Sequence, residues 1–327
     1  MREATFLKQN EKKWKEYEIV LNSPVKGISP DVLADLFVEV SEDLSFSRTH
    51  FGDGKTTAYL NGLAARAHMM LMRGKPQKKG GFILFWIIDL PKVLGKHRLK
   101  LYWAFAIFSV SVAIGAISTH FDLGFVRNIL SDEYVEMTLL NIERGNPMAV
   151  YASGGEIESF LGITSNNIRV SFLAFVGGLF LTLGTASVLI SNGVMVGSFF
   201  TFMFQQGVGY ETVMVVMIHG TLELSAIAIA GMAGFVLGHS LIFPGTYSRA
   251  ASLRRGAMDG IKIVAGLVPI FVMAGFLEGF VTRHTDMPAP LSLCIISASL
   301  VFVMYYFVIF PLQIESRERL NNPNPNG

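Results

Sequence analysis

The chain has 327 residues, 51% of them hydrophobic and only 16% charged, with a formal net charge of +2 and a mean hydropathy of +0.46. Ordinary globular domains carry about 25% charge, so the composition excludes a disordered chain, argues against a large soluble enzyme, and lacks the basic excess of a nucleic-acid binder. The single cysteine, Cys294, excludes an internal disulfide framework and any multi-cysteine metal site, which leaves an integral membrane protein.

Residues 1–100 hold 17 of the 27 Lys and Arg residues, and residues 1–80 read as a compact cytoplasmic helical region. Ser29-Pro30-Asp31 opens a helix, with Pro early and an acid in the first turn. Leu33, Leu36, Phe37, Val40 and Leu44 follow at helical spacing. Gly52-Asp-Gly-Lys55 is too short for a phosphate cradle and reads as a turn before a second helix over about 55–73, with Tyr59, Leu60, Leu63, Ala67 and Met70. Residues 81–100 carry Trp86 near the front and a basic cluster behind Pro91, the pattern of an elbow helix lying in the membrane interface, with a buried helix of the soluble region as the alternative. The charged N-terminus lacks the early apolar core of a cleavable signal.

From residue 101 to 314, long uncharged runs alternate with short polar breaks. A helix needs about 20 apolar residues to cross the hydrocarbon core, and 101–120, 170–191, 262–282 and 289–313 meet that length. The run 193–207 reads as a short third span, with a re-entrant segment as its alternative. The run 212–243 reads as a fourth span that is long, tilted, or broken near Gly220, because 32 residues extend about 48 Å as a helix. The loop 121–168 is acidic and is expected outside, whereas the turn 244–258 has Arg249, Arg254 and Arg255 without an acid and is expected inside. The fold class that follows is all-α: a polytopic bundle of about six spans in the cell inner (cytoplasmic) membrane, with both termini cytoplasmic. The tail 315–327 is expected to be disordered.

An ionisable side chain within a span is a functional hypothesis by default. His219 and Glu223 are four apart and share a helix face, and antiparallel packing can bring Glu278 to them, in a polar cluster with Gln205 and Gln206. The cluster reads equally as a proton, ion or substrate site and as an interhelical lock. HxxxE is not HExxH, and no second nearby histidine completes a zinc set, so no metal or cofactor is expected. No catalytic set is recognisable. The small-xxx-small pairs Gly193/Gly197, Gly234/Gly238 and Gly275/Gly279 are expected to let helices approach within one chain, with a homo-oligomer seam as the alternative.

The run His219-Gly-Thr-Leu-Glu-Leu-Ser-Ala-Ile-Ala-Ile-Ala-Gly231, followed by Gly234, resembles the signature of the stage II sporulation protein M family. Tyr59–His68, Leu90-Pro91 with its basic cluster, and Leu277–Thr282 are similar to further segments of that family in the same order. The resemblance implies a membrane scaffold that positions peptidoglycan hydrolases during engulfment in endospore formers. Relatives in organisms that do not sporulate often accompany MoxR-type ATPases. The N-terminal region here is longer than in the minimal sporulation form. The expected function is therefore a non-enzymatic membrane scaffold or complex subunit whose partners are membrane lipid and other envelope or membrane-complex proteins. The alternative is a transporter or export component built around His219, Glu223 and Glu278.

Overall fold

The computed structural model describes residues 2–22, 30–73, 81–152, 155–283 and 287–321, and every described element is helical. The chain divides into two compact units, Met1–Gly81 and Phe82–Gly327.

The first unit holds α1 (Glu3–Asn22), α2 (Pro30–Phe51) and α3 (Lys55–Arg73). The apolar spacing that predicts α2 and α3 buries Leu33, Leu36, Val40, Leu44, Leu60, Leu63, Ala67 and Met70 in one core. Tyr59 stays at the rim, 37% exposed. Helix α1 has no separate sequence-based assignment, because its charges are as many as its apolar residues. It is nonetheless anchored by Phe6, Trp14 and Leu21. The Trp14 indole donates to Asp43 Oδ2 at 2.8 Å, which satisfies its one polar atom inside an apolar core. Gly52 adopts φ +65° in the turn between α2 and α3, as its sequence context predicts.

The second unit begins with an elbow: α4 (Gly81–Leu84), a π-helical turn (Phe85–Asp89) and α5 (Leu90–Lys96). Leu90, Val93 and Leu94 are buried while Phe82, Ile83 and Ile87 remain exposed. The Tyr306 hydroxyl donates to the Trp86 carbonyl at 2.7 Å. Lys96 and His97 both reach Asp259 Oδ2, at 2.7 and 2.9 Å, and Arg98 pairs with Glu315. These bonds gather the elbow and the helices that carry Asp259 and Glu315 at one end of the bundle.

Five helices are long and apolar enough to cross a membrane: α6 (Arg98–Phe121), α11 (Leu183–Gln205), α12 (Gly209–Ile242), α13 (Arg249–Phe276, continued by a π-helical turn Leu277–Thr282) and α14 (Ala289–Met304), which continues through a π-helical turn (Tyr305–Ile309) into α15 (Phe310–Asn321). A further helix, α10 (Glu156–Val176), packs beside α12 and α13. At 67% burial of its apolar window α12 is the central post, whereas α14, at 17%, turns most of its surface outward. The outward side chains are largely apolar, for example Trp103, Val110, Ile114 and Ile117 on α6 and Leu300 and Val301 on α14, as a lipid-facing surface requires.

Several sequence-based boundaries shift in the structure. The run 170–191 is not one span; it contains the end of α10, a 3₁₀ turn (Gly177–Leu179) and the start of α11. The chain reverses where Leu181 and Thr182 take positive φ and Gly177 packs so closely that a Cβ there would meet the Gly184 backbone at 2.7 Å, and no charge marks that reversal. The expected short span 193–207 is therefore the second half of a 23-residue helix. Of the run 212–243, residues 212–242 lie within one unbroken 34-residue helix, the long form among the alternatives, with no break at Gly220. Only 123–152 of the expected loop 121–168 forms separate short helices, α7 (Leu123–Leu130), α8 (Asp132–Glu143) and α9 (Ala149–Ala152), whereas 156–168 belongs to α10. The expected disordered tail is helical to Asn321, and 322–327 lie outside the described residues.

The glycine pairs do their packing inside this chain. A Cβ at Gly193 would meet Ser111 Cβ at 2.6 Å and the Phe108 carbonyl oxygen at 2.8 Å, and one at Gly197 would meet the Val112 carbonyl. The matching order of these partners makes α6 and α11 parallel. Gly234 and Gly238 receive the 3₁₀ turn, and Gly275 and Gly279 receive α10.

Candidate functional site

Helix α12 presents His219 and Glu223 one turn apart, so both side chains leave its buried stripe in the same direction. Glu278 and Thr282 come from the π-helical turn that ends α13. A π turn carries more residues per revolution than an α turn and recurs at functional sites. Here it sets Glu278 and Thr282 on the side facing α12. Gly275 and Gly279 let α10 close over the same turn, with Gly279 near the Glu156 carbonyl at 3.1 Å for a built Cβ.

His219 is buried, and its Nδ1 shares a 3.0 Å hydrogen bond with Thr282 Oγ1. Its Nε2 lies 3.6 Å from Glu278 Oε2. The ligand-type atoms of His219, Glu223 and Glu278 all lie within 4.8 Å of one another. HxxxE alone does not complete a metal set; the third member arrives from a different helix, which sequence spacing does not reveal.

The three side chains line a cavity of about 650 Å³, within the range of small-molecule sites. Its wall includes Asn166 and Asn167 from α10, Phe199 from α11 and Tyr134 from α8. Burial raises the Tyr134 phenol above its ordinary value. Asn167 is only 5% exposed.

Gln205 and Gln206 are not in the cavity wall. They sit at the C-terminal end of α11, where the Gln205 amide donates to the His120 carbonyl at 3.3 Å and ties α11 to α6. Thr221 and Ser225 turn their hydroxyls back to the carbonyls of Met217 and Thr221 on their own helix. Sequence reasoning missed Asn166, Asn167, Tyr134 and Thr282 as companions of the cluster. The asparagine pair was a usable signal, but assigning 121–168 to a loop hid it.

Residues 104–283 match the family model described as stage II sporulation protein M. The chain belongs to the stage II sporulation protein M family. The match runs from α6 to the end of the π turn that bears Glu278, so the family region contains the entire cluster and its cavity. Residues 4–73 match a second model, described as a domain of unknown function, DUF8413, and coincide with α1–α3. Neither a curated protein nor a solved structure matches the chain. This stage II sporulation protein M family member is thus a multi-pass helical membrane protein with an additional N-terminal three-helix unit.

Proposed function

We propose that the chain is a non-enzymatic scaffold or complex subunit of the cytoplasmic membrane that organises envelope-related partners. The observation that carries the reading is the compact N-terminal unit, with a core of its own, joined in one chain to a membrane bundle of this family. Lys96, Arg98, Arg254 and Arg255 cluster at the elbow end of the bundle, whereas the acidic α8 lies at the far end of α6 and α11. A positive-inside orientation then puts the elbow, the N-terminal unit and the C-terminus in the cytoplasm and α7–α9 outside. The N-terminal unit recruits partners inside, and α7–α9 meet envelope partners. The test is affinity capture from membranes with the full chain and with variants lacking 1–80 or 122–152. Each deletion is expected to lose a distinct partner set, and an unchanged set from both deletions refutes the scaffold.

A second reading, a transporter or export component, is supported by the cavity that His219, Glu223 and Glu278 line. A flux assay in vesicles separates it from the first: Glu223→Gln and Glu278→Gln abolish flux in folded protein if the cluster carries cargo, and leave it unchanged if they do not.

A further inference from the structure

We propose that His219 Nε2 and the carboxylates of Glu223 and Glu278 hold a divalent first-row transition ion whose open coordination positions face the cavity. The proposal depends on neither functional reading above. A scaffold with a structural ion and a transporter of that ion both contain the site.

Four observations converge. First, the three ligand atoms lie within 4.8 Å of one another. An ion bonding N and O at about 2.0–2.2 Å has opposite ligands roughly 4.2 Å apart, so small side-chain rotations close the shell without moving a helix. Second, two carboxylates from different helices converge inside a span, where charge is expensive unless it is compensated. A dication with two carboxylates and a neutral imidazole makes a site of no net charge. Third, the Thr282 hydroxyl engages His219 Nδ1, leaving Nε2 on the side of Glu278. Metal-binding histidines commonly have such a partner on the other ring nitrogen, which fixes tautomer and ring orientation. Fourth, Asn167, a buried amide at 5% exposure, lines the same cavity. It adds a neutral polar group to the wall that the three ligands share. The imidazole selects a transition ion such as Mn²⁺ or Zn²⁺ over Ca²⁺ or Mg²⁺, which prefer all-oxygen shells.

The test uses the untagged full-length protein in detergent, stripped with a chelator and reloaded with Mn²⁺ or Zn²⁺. It is expected to retain about one ion per chain, and Glu223→Gln or Glu278→Gln to weaken Mn²⁺ binding by at least about tenfold. Pulsed paramagnetic resonance of the Mn²⁺ form is expected to show imidazole nitrogen coupling that His219→Ala removes. The wild-type nitrogen signal decides the matter even if the variants fold poorly. No ion above a lipid-and-detergent blank, undiminished binding in the double Gln variant, or bound Mn²⁺ without nitrogen coupling would each overturn the proposal.

Discussion

Gly197→Ala probes the glycine contact between α6 and α11. A Cβ there would sit 2.8 Å from the Val112 carbonyl carbon and 2.9 Å from the Ala116 nitrogen. The Val112 carbonyl oxygen would lie closer still; since non-bonded carbons alone prefer about 3.5–4.0 Å, α6 and α11 must separate by roughly 1 Å or more. Overpacking of this kind costs about 1–3 kcal/mol, and the better helix propensity of alanine recovers up to about 1 kcal/mol. Gly162→Ala supplies the control within the same unit. It lies in α10 with nothing within 4 Å of its built Cβ, so only the propensity gain of roughly 0.5–1 kcal/mol applies. The propensity gain is common to both variants, so they should differ by the overpacking cost, about 1–3 kcal/mol, or roughly 2–12 °C in melting temperature by soluble-protein scaling. Thermal unfolding in one detergent, followed by circular dichroism, measures the gap. If Gly197→Ala melts at or above Gly162→Ala, the backbone-contact account of the glycine pairs is wrong.

Two further outcomes are expected. Trp14, 2% exposed and bonded to Asp43, supports the core of the N-terminal unit. Trp14→Ala should cost about 3–5 kcal/mol, enough to expose residues 1–81 to limited proteolysis while the bundle survives; wild-type resistance would contradict this. Burial, aided by Lys100 and Lys96, holds the His97 imidazole below its usual 6.5, against the opposing hydrogen bond to Asp259. The unfolded chain therefore takes up the proton first on acidification, so the stability from neutral His97 is complete above 6.5 and is lost as pH falls through the window beneath it. The stability difference between wild type and His97→Gln should accordingly shrink as pH is lowered through that window. A constant difference would show that His97 does not titrate in this way.

Much of the architecture is local and was therefore legible. Uncharged runs must become helices in lipid because no water is present to satisfy backbone groups, and the 3.6-residue spacing of Leu33 through Leu44 already specifies a buried face. The family region, too, shows itself in linear order. What resisted reading was the boundary between α10 and α11. A reversal made of Gly177, Gly178 and Thr182 inside an apolar stretch carries no charge, whereas the breaks that sequence reveals between spans are charged. The same error assigned Asn166 and Asn167 to a loop, so their part in the cavity stayed hidden.

The pairing of His219 with Glu223 follows from residue spacing alone, since a helix repeats every 3.6 residues whatever surrounds it. The arrival of Glu278 with Thr282, the exclusion of Gln205 and Gln206, and the opening of a cavity between α10, α11 and α12 do not follow from spacing. They depend on how closely whole helices approach, which glycine contacts and a π turn set at positions far apart in the chain. Amino-acid order thus determined the membrane character, the helices and half of the cluster. Only tertiary packing decided which polar side chains meet, because that outcome is a property of distances between helices rather than along one.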